Sequence, residues 1–173
     1  DFTFQQDMRK IVYMYQKKGF LEAKFQNREQ KVNLEIQEID YNLTISEGQL
    51  SAIGQIQFQG NVLYSDTVLL SLLKVKSGDA LNLAAVKQTS SGIVALYAEK
   101  GYLYASVKDT IIKTEDSHVS NIVYQIAEGR PVYIGLIRIA GNKGVLQKVI
   151  KREMNLSSGD LLMPSRVYQN QQR

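Results

Sequence analysis

The chain repeats itself with a period of about eighty residues, and this internal repeat constrains its fold more than any other feature. Residues 56–61 (IQFQGN) return as residues 137–142 (IRIAGN), in each case a strand-like segment followed by a turn. Residues 77–79 (SGD) return as residues 158–160. Both blocks return after 81 positions, so they share one register.

Two further blocks keep the same period. The pair Glu47-Gly48 returns as Glu128-Gly129 after 81 positions, and residues 15–20 (YQKKGF) match residues 97–102 (YAEKGY) after 82. Four separate blocks therefore keep one period to within a residue, which chance similarity would not produce. The chain is built from copies of one unit.

The order of the blocks predicts the domain boundaries. The Glu-Gly pair ends a unit and the Ile-x-x-x-Gly-Asn block begins the next, so residues 50–130 form a complete unit. Residues 1–49 are then the C-terminal half of one unit and residues 131–173 the N-terminal half of a further one, as if cut from a longer array. Because a half unit cannot bury its apolar face alone, we expect the end halves to fray, to pair with each other or to associate by domain swapping.

The first half of the complete unit reads as a strand followed by two helices. Apolar and polar residues alternate over residues 52–59, which predicts a strand with one buried face, and Gly60-Asn61 turns the chain. Ser65-Asp66 is a candidate N-cap for a short helix that residues 77–79 stop. Asn82 is a candidate N-cap for a second helix that ends at Gly101.

The second half of the complete unit reads as two strands. Alternation over residues 107–112 and 119–127 predicts them, and the polar residues 114–117 join them as a hairpin. The order strand, helix, helix, strand, strand predicts an α+β unit: a three-stranded mixed sheet covered on one face by two helices.

Composition excludes several classes of protein. No apolar run approaches the roughly 20 residues that cross a bilayer, and residues 1–7 show no signal-peptide pattern. Cysteine is absent, which excludes disulfides and cysteine-based sites. The net charge of +4 comes from dispersed basic residues, so we expect no nucleic-acid partner; a salt-dependent binding assay would test that alternative.

A catalytic function is not expected. His118 is the only histidine and lies in the polar hairpin, where a solvated loop residue is the simpler interpretation. Glu47 and Glu128 occupy equivalent positions in the repeat, which favours a shared structural role. The sequence has no phosphate-binding loop, metal-ligand spacing or nucleophile elbow, so we expect no enzyme, no cofactor and no metal.

These blocks, in this order, resemble the POTRA domains of the outer-membrane protein insertase family. The family's Gly-Asn turn, its Tyr-x-x-x-Gly-aromatic helix end and its closing Glu-Gly pair each appear twice. Residues 128–137 (EGRPVYIGLI) are similar to the junction between consecutive POTRA domains. Tandem copies resemble the BamA-type insertases. The residues matching the structural turns of the repeat are Gly60, Asn61, Gly101, Gly129, Gly141 and Asn142.

The resemblance implies a location and partners. The segment would lie on the periplasmic side of the outer membrane, joined to its own C-terminal β-barrel, which is not in this fragment. It would bind unfolded outer-membrane protein chains and accessory assembly lipoproteins. The alternatives are a spacer or docking region in a two-partner-secretion transporter or in an organelle-import transporter such as the chloroplast channel, which carry similar arrays.

An exposed strand is the candidate binding site. A three-stranded sheet has two edges with unpaired backbone groups, and an extended client chain can add to an edge without any particular sequence. The family's sheet order places the second strand outside. The candidate peptide-binding residues are Tyr104, Ser106, Val107, Lys108, Asp109, Thr110 and Ile111.

Overall fold

The computed structural model describes residues 2–33, 35–116, 118–154 and 156–171, without the side chains of Phe2 and Gln171. In chain order its elements are α1 (Phe2–Lys17), β1 (Lys24–Asn33), β2 (Glu38–Ser46), β3 (Ala52–Gln59), α2 (Asp66–Leu70), α3 (Leu83–Ala98), β4 (Ser106–Lys113), β5 (Val119–Ala127), α4 (Gln147–Glu153) and α5 (Pro164–Gln171). Within these described ranges, no helix has both the length and the apolar character that a membrane span requires.

The first repeat contributes helix α1 and the antiparallel hairpin β1–β2. The hairpin register shifts between Phe25 and Asn27, so Gln26 is one extra residue in β1. From Lys24 to the end of β2 there is one residue more than from Ser106 to the end of β5. The bulge therefore accounts for the change of the repeat offset from 82 before it to 81 after it.

The complete repeat folds in the predicted order, with β3, α2, α3, β4 and β5 forming a three-stranded sheet of order β3-β5-β4. Ser51, which precedes β3, contacts Ser120 of β5 through their hydroxyls at 2.8 Å, and Gly60 at the end of β3 lies against Ile126 near the end of β5. These two contacts run in the same direction, so β3 and β5 are parallel, whereas β4 and β5 form an antiparallel hairpin. The predicted α+β class with a mixed sheet is confirmed.

The helix ends only partly follow the sequence. Asn82 caps α3, because its side-chain oxygen accepts hydrogen bonds from the amides of Ala84 and Ala85 at 3.0 and 3.1 Å. Ser65 occupies the N-cap position of α2, but its side chain makes no capping hydrogen bond. The expectation that residues 77–79 stop this helix is wrong: α2 ends at Leu70, and the Ser71 hydroxyl donates to the carbonyl of Val68 at 2.6 Å.

The buried apolar side chains come mainly from the complete repeat. Burying each large side chain of this kind stabilises the fold by about 1.5–3 kcal/mol. The fully buried apolar side chains include Ile53, Leu69, Leu81, Val86, Ile93, Tyr97, Ile122 and Tyr124.

The last repeat contains a strand-like sequence that has no neighbouring strand in the described part of the chain. Residues 137–139 match residues 56–58 of β3, yet in the described part of the chain they have no strand pairing, and an isolated bridge joins Tyr133 to Leu161 nearby. In the complete repeat the matching residues pair with β5, and among the described residues from 131 onward no strand takes its place. A strand needs a neighbouring strand to hold its hydrogen bonds, and this segment has none among the described residues.

The chain divides into two compact units. The first holds Asp1–Gln57, Lys74–Gln88 and Asp109–Val123, and the second holds Phe58–Leu73, Thr89–Lys108 and Tyr124–Arg173. Helix α3 and the strands β3, β4 and β5 each contribute residues to both units. The boundaries after residues 49 and 130 stay a prediction.

A pair of glycine substitutions tests the turn after β3. Gly60 and Gly141 have φ of 83° and 84°, a left-handed conformation that costs an L-residue about 1–2 kcal/mol. A Cβ at Gly60 would collide with the carbonyl oxygen of Ile126, whereas a Cβ at Gly141 meets nothing within 4 Å. We expect Gly60→Ala to lower the free energy of unfolding by more than about 2 kcal/mol and Gly141→Ala by about 1 kcal/mol, measured by urea unfolding. Equal losses would contradict the role of the Ile126 contact.

Candidate functional site

The structure places β4 at one edge of the three-stranded sheet, with β5 as its neighbour within that sheet. Along β4, Ser106 and Lys108 are exposed, and Val107, Thr110 and Ile111 are half-buried. An exposed lysine on an edge strand disfavours permanent pairing with another copy. The edge therefore presents backbone groups beside a mixed set of apolar and charged side chains.

Tyr104 is a correction to the predicted edge. It lies outside β4, in a turn where the amide of Ala105 donates to the carbonyl of Tyr102 at 3.1 Å. Its backbone therefore cannot take part in the β4 ladder. Tyr104 is 80% exposed and lies beside Gly129, where a Cβ would come within 3.7 Å of its backbone and Cβ.

Asp109 anchors β4 to helix α3. Its carboxylate lies 2.7 Å from the ammonium of Lys87, and its side chain is only 11% exposed, while that of Lys87 is largely in water. An ion pair that is buried on one side holds a strand in place more firmly than a fully solvated pair. Asp109 therefore supports the edge from the helix side.

The turn residues named by the repeat occupy equivalent conformations. Gly101 and Gly129 have φ of 83° and 72°, in the left-handed region where glycine is favoured. Asn61 donates its side-chain amide to the carbonyl of Tyr64 at 2.9 Å, and Asn142 donates to the carbonyl of Val145 at 2.8 Å. The Gly-Asn block therefore builds the same turn in both repeats.

The carboxylate of Glu128 organises the other end of the sheet. One of its oxygens accepts hydrogen bonds from the amides of Val62 and Leu63 at 2.6 and 2.8 Å and from the hydroxyl of Tyr97 at 2.7 Å. Tyr97 also packs edge-on against Tyr64, with ring centroids 5.1 Å apart. The loop after β3, the end of α3 and the end of β5 are thereby held together.

These contacts shift two pKa values in opposite directions. Burial would raise the pKa of Glu128, but the hydrogen bonds from the Leu63 amide, the Tyr97 hydroxyl and the Val62 amide outweigh it and lower the pKa below its ordinary value. Burial, reinforced by the Glu128 carboxylate, raises the pKa of the Tyr97 hydroxyl. At neutral pH the pair is therefore an ionised acceptor and a protonated donor.

Two junctions join successive repeats with the same hydrogen bonds. In the first, the amide of Ser51 donates to the carbonyl of Gly19 at 3.0 Å, and the amide of Leu81 donates to the carbonyl of Ser51 at 2.8 Å. The second junction repeats these contacts 81 or 82 positions later. There, Val132 donates to Gly101 at 2.8 Å, and Leu162 donates to Val132 at 2.9 Å.

The turn formed by residues 77–79 closes each junction. The amide of Ile53 donates to the carbonyl of Asp79 at 2.8 Å, as the amide of Ile134 donates to that of Asp160 at 2.8 Å. In both junctions, hydrogen bonds therefore connect the end of the helix, the segment that begins the next repeat and the Ser-Gly-Asp turn.

No arrangement suited to catalysis is seen in the described ranges. His118 is exposed at the end of the hairpin, and its amide donates to the carboxylate of Asp116 at 3.0 Å. Ser117 of the predicted hairpin lies outside the described residues. Among the residues that the structure describes, no group of three histidine, cysteine or acidic side chains could hold a metal ion.

Comparison with known proteins agrees with this architecture. Residues 51–129 match the family model for POTRA, described as a surface antigen variable number repeat. The fold is also that of the Haemophilus influenzae BamA POTRA3-5 structure, with a TM-score of 0.65 and 20% identity over 96% of this chain and 66% of that one. Residues 51–129 therefore match the POTRA family, and the chain has the fold of tandem POTRA repeats.

Two curated relatives of the chain are outer membrane protein assembly factors. The chain is 27% identical over 147 residues to the outer membrane protein assembly factor BamA of Nitratidesulfovibrio vulgaris, covering 83% of this chain and 19% of that protein. It is 25% identical over 173 residues to the protein of the same name from Neorickettsia risticii, covering 98% of this chain and 22% of that protein. The chain is thus BamA-like, and it spans about a fifth of the length of these relatives.

Sequence reasoning missed how Glu128 works. The repeated Glu-Gly pair and the repeated tyrosine were both visible, but their hydrogen bond joins residues 31 positions apart. Glu47 lines a pocket with Tyr15, Lys18 and Phe20, in the position where Glu128 meets the loop after β3. The glutamate therefore lies at the same position in both repeats, and in the complete repeat the structure shows which groups bind it.

Replacing Glu128 tests this network. Because the folded-state pKa of Glu128 lies below the ordinary value of 4.5, its contribution is fully present above that value and is lost as the pH falls through the lowered folded pKa. We expect Glu128→Gln to lower the melting temperature at neutral pH and to flatten its decline in acid, with Glu47→Gln as the matched control. Parallel melting profiles for wild type and Glu128→Gln between neutral and acidic pH would refute this.

Proposed function

We propose that this chain is a periplasmic module of an outer-membrane protein assembly machine, one that receives unfolded outer-membrane protein segments by strand addition at β4. The observation that carries the proposal is the position of β4 at the edge of the sheet. An edge strand offers backbone N–H and C=O groups that any extended segment can pair with. Recognition through the backbone suits a machine with many different clients.

The relatives supply the setting for this proposal. The curated proteins that the chain resembles are named outer membrane protein assembly factors. By this likeness, the module would stand on the periplasmic side of the outer membrane, contact accessory lipoproteins and be joined to a C-terminal β-barrel. The function is binding and assembly, with no catalytic step assigned to any residue.

Side chains of β4 tune the proposed strand addition. Val107 and Ile111 are half-buried and offer apolar contact to every second residue of an added strand. Lys108 projects a charge that opposes stable pairing between two copies of β4. The pair of Asp109 and Lys87 keeps the strand in register while a client binds and leaves.

A second candidate function is that of a spacer between a barrel and soluble partners. It is favoured by the two identical junctions, which fix how one repeat follows the next through backbone hydrogen bonds. A transporter of the two-partner-secretion or organelle-import type would use the same property. The two functions are compatible, since a spacer can also present an edge.

Proline substitution tests strand addition. Thr114 donates its amide to the carbonyl of Val119, so with regular antiparallel alternation the amide of Val107 points away from β5. We expect Val107→Pro to keep the melting temperature within a few degrees and to reduce photo-crosslinking of an unfolded outer-membrane protein peptide by about fivefold or more. Val107→Ala removes the side chain but keeps the amide, and it should crosslink nearly as wild type.

The opposite outcome is equally clear. If Val107→Pro and Val107→Ala crosslink as strongly as wild type, clients do not add at β4. If both lose crosslinking equally, the side chain of Val107 rather than the backbone recognises the client.

The spacer function depends on the junction amide of Val132. Val132→Pro removes the donor to the carbonyl of Gly101, at a cost of about 1 kcal/mol. We expect a broader distance distribution between spin labels at positions 108 and 148 than in Val132→Ala, which keeps the amide. Identical distributions would show that this hydrogen bond does not set the joint.

A further inference from the structure

A groove lies between helix α1 and strand β1 of the first repeat. Its volume is about 430 Å³, within the range of about 300–1,000 Å³ typical of ligand sites. Met8 and Ala23, each only 4% exposed, form its floor with the half-buried Val12 and Phe25. The groove is therefore apolar at its base.

Three cations line the same groove. The side chains of Arg9, Lys24 and Arg28 belong to exposed residues, and within the described ranges none of them forms an ion pair. Two acids near them in sequence have other partners: Asp7 binds Lys10 and Glu22 binds Lys113, both at 2.8 Å. Lys24 lies near the Glu22 carboxylate and helps to lower its pKa, so the groove combines an apolar base with a basic rim whose charge comes mainly from Arg9 and Arg28.

The complete repeat shows that this charge is particular to the first one. There, Lys87 of the helix and Asp109 of the strand form an ion pair across the equivalent space. Counting by the repeat offset, with the bulge at Gln26 included, Gln5 replaces Lys87 and Arg28 replaces Asp109. The carboxylate that neutralises the strand in one repeat is an arginine in the other.

The helix surface differs in the same way. Counting 82 positions, Met8 and Arg9 stand where the complete repeat has Ser90 and Ser91. Met8 and Arg9 both line the groove, so at these positions the first repeat presents an apolar and a basic side chain where the complete repeat has two serines.

We infer that the groove between α1 and β1 binds an acidic amphipathic peptide segment. An apolar side chain of the segment packs on Met8, Val12 and Phe25. Its carboxylates bind Arg9 and Arg28, whose guanidinium groups match a carboxylate with two parallel hydrogen bonds, and Lys24 adds a point charge. This inference does not depend on strand addition at β4, because the groove belongs to a different repeat.

Charge-matched peptides test it on the complete chain. The probes are a fluorescent peptide of alternating valine and glutamate, its valine–glutamine analogue and its serine–glutamate analogue, with anisotropy as the readout. We expect the valine–glutamate peptide to bind about tenfold more tightly than either analogue, by a margin that shrinks with added salt. The triple variant R9Q/K24Q/R28Q should lose this preference.

A matched variant separates a site from general attraction. K74Q/K143Q/K148Q removes the same charge from exposed lysines elsewhere, and it should bind like wild type. Equal affinities for the three peptides, or equal losses in the two triple variants, would overturn the inference. So would displacement of the peptide by a single-stranded oligonucleotide at similar concentration, because an anion of any kind would then suffice.

Discussion

The carbonyl group of the glycine after a long helix ties each repeat to the next. In Gly19 and Gly101 a left-handed backbone turns this carbonyl toward the segment that begins the next repeat, where the amide of Ser51 or Val132 donates to it. A side chain at Gly19 would come within 2.6 Å of the carbonyl oxygen of Leu81, so the joint also needs the absence of a Cβ. The array is thus made by repeating one close backbone contact, and the surfaces of the repeats are free to differ.

The groups that hold the fold together are therefore different from the surfaces proposed to bind another polypeptide. Backbone groups at the junctions and the Glu128 carboxylate have internal partners, whereas the two sites proposed for another polypeptide are the edge of β4 and the groove beside α1. Both proposed sites use a strand in the same position of its repeat, since β1 and β4 are equivalents. Their side chains differ: the groove beside β1 is basic, and the edge of β4 is close to neutral.

Much of this architecture could be predicted because the repeat places local signals in order. The cap at Asn82, the alternation in β5 and the edge position of β4 all follow from short segments and one resemblance. The short α2 and the lack of strand pairing at residues 137–139 in the described part of the chain could not be predicted. Ser71 competes for a helix carbonyl, and a strand forms only beside a partner.

The basic rim of the groove could not be predicted either, because it depends on the register of β1. Arg28 is equivalent to Asp109 only when Gln26 is counted as an extra residue of β1. Before the register is known, the repeat offset leaves two choices for the partner of Arg28. Strand pairing, which joins distant residues, is what decides between them.

The bulge at Gln26 shows how such an array tolerates insertion. One added residue twists β1 locally. After it, the offset between the first and the complete repeat stays at 81 through the rest of the hairpin. Length can therefore change inside a repeat while every joint downstream stays where it was. A lineage that duplicates this module can vary its outer strands one residue at a time without rebuilding the stack.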